Sequence, residues 1–352
     1  MIFDLVGTPE TYTLANQNKG RNVCCELLRA HRHGHHLAII PRAVATALIA
    51  TGLFDDRDRA LIVKLGNEFT QSAGLRDDAI IRICIDPLHR SGPEISDGAI
   101  IIGLEDADSP YLFDRVNLVV EDTASDGELY LQMVMAHLPE YGGGNVSFDL
   151  RHGGGQASDS IFQRQIEQRC IVCVVGDSDK LHPQKGEPAK LLRTKRIIEE
   201  SAWPFAWAFA LPCREIENLI PTHILGKLAC AGAKAADLDA LTTIHRAEDA
   251  AGLAADEFFG MYYDLKEGID ERRLNGVWPE HISDWVRAKL LIAGDDVRLT
   301  GFGSNIIRQL LGTPAVLREF LAHTKKEAWQ RLYGHIIRFV LWLGFAPMRQ
   351  IV

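Results

Sequence analysis

Three short apolar runs in the middle of the chain are each followed by acidic residues, and this pattern limits the folds open to the sequence. The runs are Asn117–Val120, Cys170–Val175 and Phe205–Leu211, and the acids after them are Glu121 and Asp122, Asp177 and Asp179, and Glu215 and Glu217. Short runs rich in valine, isoleucine and aromatic residues are typical of parallel strands buried on both faces. Ligands bind beyond the carboxyl ends of such strands. The sequence therefore places its acids at the functional edge of a sheet.

Strands and helices are predicted to alternate through this region. The segment Asp126–Leu138 has apolar positions suited to one packed face of a helix. A strand over Val146–Leu150 follows a glycine turn, and another helix begins after Pro188. This alternation predicts the α/β class, with a doubly wound parallel sheet, right-handed crossovers and flanking helices.

The sequence on either side of this region predicts one further unit each. The predicted units are an N-terminal α/β unit 1–112, a middle unit 113–222 and a helical C-terminal unit 223–352. The N-terminal strands are predicted over 2–6, 79–85 and 99–104, and its helices over 43–53 and 57–73 and from Pro9. The C-terminal helices are predicted over 229–254, 256–273, 281–293, 305–311, 315–321 and 327–345. The last of these has a broad apolar stripe. Such a stripe is usually core, but its terminal position also suits packing against another copy or a partner, and we expect a homo-oligomer.

Composition sets broad limits on function. Apolar residues make up 47% of the chain and charged residues 24%, as in an ordinary soluble globular protein. The net charge of −9 gives no global attraction to nucleic acid or to acidic membranes, so such binding needs a local basic patch. Seven cysteines, an odd number, do not suggest a disulfide framework. Because its apolar stretches are short or broken by charge, we expect a reduced, cytoplasmic protein with no membrane partner.

Two nucleotide-binding motifs are absent from the sequence. It contains no G-x-x-x-x-G-K-[ST], and the run Gly153–Gly155 does not fit G-x-G-x-x-G. A glycine run after a strand instead lets the backbone approach a ligand or another chain closely. The cysteines and histidines between Cys24 and His36 lack the paired spacing of a zinc site, and a helix leading into a polar turn is the better interpretation.

The acids that follow the strands have the chemistry of a metal site. The set is Glu121, Asp177, Asp179 and Glu217. Carboxylate oxygens are hard ligands that suit Mg²⁺ or Mn²⁺, and several of them cannot converge cheaply without a counterion. For any single acid a solvated loop is the better interpretation. For the whole set, metal binding is preferred.

These residues resemble a known family. Their order is similar to that of the TOPRIM domain, which occurs in type II topoisomerases, bacterial primases and OLD-family nucleases. The segments that carry the similarity are, in order, Leu118–Glu121, a glycine-rich turn, Val174–Asp179 and Arg214–Leu219. The run Arg214–Leu219 is most similar to the OLD-type branch, whose members cut nucleic acid and often act in phage defence. The resemblance covers residues 113–222, with a looser similarity at Tyr263–Gly268. It implies a TOPRIM-like parallel sheet flanked by helices.

The resemblance also implies roles for individual side chains. The implied metal ligands are Glu121, Asp126, Asp177, Asp179 and Glu217. Glu121 would also assist proton transfer, and Lys266 is the candidate for a lysine that supports the transition state. The family's second acid usually stands four positions after the glutamate, whereas Asp126 stands five after Glu121. This departure leaves Asp122 and Glu128 open as alternatives.

We therefore predict a nuclease that uses two Mg²⁺ or Mn²⁺ ions to hydrolyse phosphodiester bonds in DNA or RNA. Phosphate contacts are predicted from nearby basic residues, although a solvated helix face explains them nearly as well. These residues are Lys180, Arg193, Lys195, Arg196 and Arg214. OLD proteins often carry an ATPase domain ahead of the TOPRIM domain, and no such motif precedes it here. The resemblance thus implies a separately encoded ATPase or regulatory partner and a role as effector in bacterial antiviral defence.

Two other interpretations compete with the nuclease prediction. In the first, the acids belong to a metal-binding scaffold or sensor subunit without catalysis. Alternatively, Leu118–Asp122 is similar to the acidic pocket of signalling receiver domains, with Asp177 as phosphoacceptor. A receiver also needs a hydroxyl residue at the end of the next strand, and Pro212–Glu215 provides none.

Overall fold

The computed structural model describes residues 1–14, 17–154, 158–232, 234–251, 259–270, 278, 280–290 and 298–349. Within these residues the protein is a mixed α/β structure whose parallel sheets are flanked by helices, which confirms the predicted class. None of the described helices has both the length and the apolar character needed to span a membrane.

The elements have the following bounds. The strands are β1 (Ile2–Leu5), β2 (Leu37–Ile39), β3 (Arg82–Ile85), β4 (Glu94–Ser96), β5 (Ala99–Ile102), β6 (Val116–Val120), β7 (Asn145–Val146), β8 (Phe148–His152), β9 (Val172–Gly176), β10 (Ala206–Ala210), β11 (Gly268–Asp270), β12 (Arg298–Thr300) and β13 (Phe345–Ala346). The helices are α1 (Pro9–Leu14), α2 (Gln17–Arg32), α3 (Arg42–Ala50), α4 (Asp56–Asp78), α5 (Leu104–Ala107), α6 (Glu128–His137), α7 (Ser158–Glu167), α8 (Ala189–Ser201), α9 (Thr222–Leu225), α10 (Ala229–Gly232), α11 (Ala235–Ala251), α12 (Glu280–Leu290), α13 (Ile306–Leu311), α14 (Pro314–His323) and α15 (Glu327–Gly344). A π-turn covers Thr123–Gly127, and 3₁₀ helices cover Leu138–Tyr141 and Ile216–Leu219.

The first sheet belongs to the N-terminal part of the chain. Its order is β2-β1-β3-β5-β4, in which β4 is antiparallel to β5 and the other neighbours are parallel. Strand β1, which lies between β2 and β3, is buried along its whole length, which explains why all of its residues except Asp4 are apolar. Helix α4 starts at a normal N-cap, because Asp55 accepts the N–H of Asp58 at 2.7 Å.

The second sheet is fully parallel and carries the predicted site. Its order is β10-β9-β6-β8, with Leu118 opposite Cys173 on one side and Leu150 on the other. Helices α7 and α8 pack together and against β9 and β10, while α6 packs against α15.

The two sheets share one hydrophobic core. The ring of Phe3 in β1 lies 5.2 Å from that of Phe113, just before β6. Strand β13 pairs antiparallel with β7, and the amino group of Met1 donates to the carbonyl of Phe345 in β13. The end of the chain is therefore packed between the N-terminal and middle units.

Several predicted elements need correction. The C-terminal unit is not purely helical, because β11 and β12 form an antiparallel pair and β13 joins β7. The helix predicted over 256–273 is wrong where the structure describes it, since 259–267 are turns and loop and β11 follows. The helix predicted from Asp126 begins at Glu128, after the π-turn. The strands of the middle unit are confirmed to within a few residues.

Candidate metal centre

The second sheet has a topological switch point between β6 and β9. The chain passes from β6 to β8 on one side, then returns to β9 and β10 on the other. A ligand crevice forms beyond the carboxyl ends of the strands at such a point. A cavity of about 40 Å³ lies there, and both Glu121 and Asp177 line it. We call it the sheet-edge groove; its lining also includes Gly153, Asp179, Lys190 and Thr194.

The π-turn after β6 sets the position of Asp126. The N–H of Gly127 donates to the carbonyl of Asp122 at 3.0 Å, so the turn holds one more residue than an α-helical turn. Asp126 Oδ2 accepts the N–H of Asp122 at 3.1 Å, which folds the carboxylate back toward the end of β6. The extra residue between Glu121 and Asp126 is thus accommodated by the wide turn.

Two glycines bring the chain after β8 against the end of β6. The N–H of Gly153 donates to the carbonyl of Val120 at 2.6 Å. A Cβ on Gly154 would lie 3.0 Å from the carbonyl oxygen of Glu121, so a larger residue would press on backbone. The close approach expected from the glycine run is therefore present, while Gly155 lies outside the described residues.

The loop after β9 separates its two aspartates. Asp177 Oδ1 accepts the N–H of Ile216 at 2.9 Å, which ties it to the 3₁₀ helix. Buried Ser178 anchors the loop by donating to a backbone carbonyl at 2.7 Å. Asp179 has a left-handed φ of 49°, and its N–H donates to the carbonyl of Arg214 at 3.0 Å. Asp177 thus contacts the 3₁₀ helix, whereas Asp179 is exposed and lines the groove.

Glu217 lies on that 3₁₀ helix, which is held at both ends. Glu215 and Asn218 form a capping box, with the N–H of Glu215 donating to Asn218 Oδ1 at 3.0 Å. Asn218 Nδ2 also donates to the carbonyls of Gly260 at 3.1 Å and Tyr263 at 3.0 Å. These bonds fix Glu217, which is 3% exposed, and its Oε2 is buried without a hydrogen-bond partner within the described residues.

Lys266 brings a positive charge to these acids. Its Nζ lies 3.3 Å from Glu217 Oε1 and 3.8 Å from Glu215 Oε2. Asp264 holds the backbone here, because its Oδ1 accepts the N–H of Lys266 at 3.1 Å and its Oδ2 accepts from Arg214 at 2.7 Å. Burial lowers the pKa of Lys266, but the surrounding carboxylates raise it by more. The side chain is therefore a cation at neutral pH.

Burial raises the pKa of each neighbouring carboxyl group. Desolvation is the largest cause for Asp177, and the charge of Glu217 adds to it. Desolvation also raises the pKa of Glu217 and of Asp126, with Lys266 opposing the rise in both. Burial raises the pKa of Glu215 to about 7. We call Asp126, Asp177, Glu215, Glu217 and Lys266 the acid cluster.

The acid cluster fits a divalent cation by its donor chemistry. Its donors are carboxylate oxygens, and Glu215 Oε2 and Glu217 Oε2 are buried without hydrogen bonds among the described residues. No group of three or more His, Cys, Asp or Glu side chains in the described ranges forms an assembled metal site, and this includes the Cys24–His36 segment. Because Lys266 is already paired with both glutamates, a bound cation would compete with its ammonium group.

The structure brings together some of the predicted ligands but not all. Asp126, Asp177 and Glu217 belong to the acid cluster, and Lys266 lies among them. Glu121 is exposed at the groove, as is Asp179. Of the predicted ligands Glu217 is buried and Asp126 and Asp177 are half-buried, and Asp177 lines the groove together with Glu121 and Asp179.

The basic residues that were predicted to contact phosphate differ in whether they already form an ion pair. Arg193 and Lys195 pair with acids of neighbouring segments at 2.7 and 2.6 Å. Arg214 is 14% exposed and forms an ion pair with Asp264 at 2.7 Å, so we assign it to holding the structure rather than to binding phosphate. Lys180 and Arg196 have no ion pair to any described residue.

Sequence reasoning missed three residues at this site. Glu215 stands in the same run as Glu217, but only Glu217 was included among the predicted ligands. Lys190 lines the groove, and its Nζ donates to the carbonyl of Gly153 at 3.4 Å. Asp264 holds both Arg214 and the Lys266 backbone. Only the looser similarity around Tyr263–Gly268 pointed to that segment.

Comparisons with known proteins leave this geometry as the basis for assigning a function. The chain matches no protein-family model, no curated protein and no solved structure. What the TOPRIM similarity implies therefore remains a set of predictions, to be judged by experiment.

Proposed function

We propose that the protein is a divalent-metal-dependent nuclease that cleaves phosphodiester bonds in DNA or RNA. One observation carries the proposal. At the switch point of a parallel sheet, Asp177 lines an open groove and accepts a hydrogen bond from the 3₁₀ helix that carries buried Glu217, whose Oε2 has no hydrogen-bond partner among the described residues. Such an arrangement is costly to maintain as structure alone, because like charges at close range destabilise one another.

Each side chain has a role in this proposal. Asp126, Asp177 and Glu217 would hold Mg²⁺ or Mn²⁺, with two ions expected from the family similarity. When bound, the metal supplies Lewis acidity at the phosphoryl centre. Exposed Glu121 at the rim would accept a proton from the attacking water. Lys266, once displaced from the glutamates, would neutralise charge that develops on the scissile phosphate.

The groove would receive the nucleic-acid backbone. Lys190 lines it, and Lys180 and Arg196 supply further positive charge despite the acidic total. These contacts go to phosphates, so they favour nucleic acid without selecting a sequence. We further propose that the protein acts as an effector of antiviral defence in the cytoplasm, as a homo-oligomer, under a separately encoded ATPase or regulatory partner.

The test is cleavage of single- and double-stranded DNA and RNA by purified protein in Mg²⁺ or Mn²⁺. We expect metal-dependent cleavage that Glu217→Gln reduces by at least about a hundredfold, since an oriented catalytic interaction contributes on that scale. The matched control is Glu199→Gln, at an exposed position on α8, which should retain full activity. Wild-type protein that cleaves none of these substrates with either metal would contradict the proposal.

A non-catalytic scaffold is the second candidate, and one observation favours it. The Lys266 ammonium lies 3.3 Å from Glu217 and 3.8 Å from Glu215, so these acids already have a structural role in joining the 3₁₀ helix to the loop before β11. A scaffold would bind Mn²⁺ in calorimetry and lose it in Glu217→Gln, yet would cleave no substrate. A nuclease would show both properties.

A further inference from the structure

A second, larger cavity lies on the other side of the 3₁₀ helix Ile216–Leu219. Its volume is about 380 Å³, within the range of about 300–1,000 Å³ that is usual for small-molecule sites. It lies between that helix, α11, α14 and the start of α15. The nuclease proposal makes no use of it. We call it the α11–α15 cavity.

One side of the α11–α15 cavity is apolar and aromatic. Trp329 and Tyr333 line it and are 4% and 7% exposed. Trp329 Nε1 donates to the carbonyl of Leu219 at 3.1 Å, and the two aromatic rings lie 5.1 Å apart. Leu332 and Met261 complete this wall. Because these rings are held in place, they offer a rigid surface to a planar ligand.

The other side of the cavity carries hydrogen-bond donors and positive charge. The rings of His223 and His323 lie 4.9 Å apart, and His323 Nδ1 is buried without a hydrogen-bond partner within the described residues. Arg246 is exposed where it lines the cavity. Among the described residues that line the cavity, Glu248 is the one carboxylate, and it accepts the N–H of Gly260 at 3.2 Å. Arg246 supplies the positive charge of this lining, while burial lowers the pKa of His223 and His323, so their neutral rings can donate hydrogen bonds to an anionic group.

We propose that the α11–α15 cavity binds a nucleoside monophosphate. The aromatic wall would receive the base, and the phosphate would accept hydrogen bonds from Arg246 and the histidine pair. An apolar ligand would give His323 Nδ1 no hydrogen bond, and a free phosphate would make no contact with the aromatic wall. A nucleoside monophosphate would contact both parts of the lining. The inference rests on the cavity alone and does not depend on nuclease activity.

The cavity is also connected to the acid cluster through Gly260. The His245 ring packs so closely on Gly260 that a Cβ there would lie 1.8 Å from its Nε2. The carbonyl of Gly260 accepts from Asn218, which caps the 3₁₀ helix that carries Glu217. A ligand in the cavity therefore contacts the back of the helix whose front presents Glu217.

The test is calorimetric binding to the full chain of AMP, GMP, CMP and UMP, with adenosine and inorganic phosphate as separate arms. We expect at least one nucleotide to bind with Kd of about 1 mM or tighter, and both partial ligands to bind at least about tenfold more weakly. Arg246→Ala should weaken nucleotide binding about ten- to hundredfold. Arg318→Ala, an exposed arginine on α14, is the matched control and should change nothing.

A second variant fills the cavity without touching its donors. Ala328 lines the cavity from an exposed position, the second residue of α15, so Ala328→Trp should abolish binding while the protein stays folded. Ala43→Trp, at the second and likewise exposed position of α3, is its control. Bound nucleotide should also slow hydrogen exchange at residues 216–219.

Three results would overturn the inference. The first is no binding by any of the four nucleotides, and the second is adenosine binding as tightly as AMP. The third is nucleotide binding that survives both Arg246→Ala and Ala328→Trp. None of these depends on whether the protein cleaves nucleic acid, so failure here and failure of the nuclease proposal are distinguishable.

Discussion

Lys266 Nζ lies 3.3 Å from Glu217 Oε1, although one residue comes from a loop before β11 and the other from the 3₁₀ helix after β10. This contact makes a lysine the counterion of a cluster that also has the donor chemistry for a metal ion. A cation and an ammonium group cannot both occupy the space between the same carboxylates. The site should therefore respond to metal by releasing the lysine.

Replacing Lys266 should expose that competition. We expect Lys266→Met to lower the free energy of unfolding in chelator by about 1–3 kcal/mol, because buried Glu217 loses its charged partner. Saturating Mn²⁺ should then stabilise the variant more than it stabilises the wild type. Urea unfolding with and without Mn²⁺ measures both effects.

The control for this prediction is Lys64→Met, at an exposed position on α4. It should change stability by less than about 0.5 kcal/mol in either buffer. Equal stabilisation of wild type and Lys266→Met by Mn²⁺ would show that lysine and metal do not compete.

The ion pair between Arg214 and Asp264 should be far more important for stability than a similar pair on the surface. Arg214 Nη2 lies 2.7 Å from Asp264 Oδ2, and the two side chains are 14% and 5% exposed. Arg214→Ala leaves a buried carboxylate without this partner, so we expect a loss of about 3–5 kcal/mol. Chemical denaturation gives the value.

Arg193→Ala is the matched control for that variant. Its ion pair with Asp159 has the same 2.7 Å distance, but Arg193 is 57% exposed. Exposed pairs contribute about 0–1 kcal/mol, so the loss should be small. Similar losses for the two variants would mean that burial does not set the strength of the Arg214 pair.

The strands and their terminal acids could be predicted from the sequence because both depend on local pattern. Buried parallel strands must be apolar over their whole length, as in Val116–Val120 and Val172–Gly176. The residues after them, Glu121 and Asp177, then line one groove because parallel strands end at one edge. Periodicity and topology are therefore sufficient to predict these strands and the edge at which their terminal acids lie.

Contacts between distant segments could not be predicted in the same way. No local pattern shows that Asp264 engages Arg214, or that Arg214 is thereby withdrawn from the surface. The π-turn that positions Asp126 depends on tertiary packing, and its sequence has no distinctive marker. Strand β11 was predicted as helix because a short strand of three residues leaves almost no periodicity.

Gly127 should be required for the π-turn to pack against the sheet. A Cβ there would lie 3.1 Å from Leu150 Cδ1 and 3.3 Å from Val120 Cγ2, both within the core. We expect Gly127→Ala to lower the free energy of unfolding by about 1–3 kcal/mol through overpacking. Thermal or urea unfolding tests it.

We expect the opposite change in the free energy of unfolding for Gly74→Ala, which serves as the comparison. Gly74 is an exposed residue inside helix α4, and a Cβ there would meet no atom within 4 Å. Alanine favours the helix over glycine by about 0.5–1 kcal/mol, so this variant should gain stability. A loss at position 74 as large as that at 127 would point to backbone effects instead of packing.

Asp4 should make the stability of the N-terminal sheet depend on pH. Burial raises the pKa of Asp4 from 3.8 to about 6, although Arg76 and Arg82 oppose the rise and Asp77 adds to it. The folded state therefore binds this proton more tightly than the unfolded state. Its stabilising contribution is complete below about pH 4 and is lost as pH rises through about 6.

Asp4→Asn removes this titration while keeping the shape of the side chain. The variant should gain stability relative to the wild type as pH rises from 4 to 7, by up to about 1.4 kcal/mol for each unit of the pKa shift. Urea unfolding of both proteins across that range gives the difference, which cancels the titration of groups elsewhere. Asp56→Asn, whose carboxylate is fully exposed at the start of α4, provides the control. A constant difference between Asp4→Asn and wild type at every pH would show that Asp4 is ionised in the folded protein throughout, with Arg76 rather than burial deciding its charge.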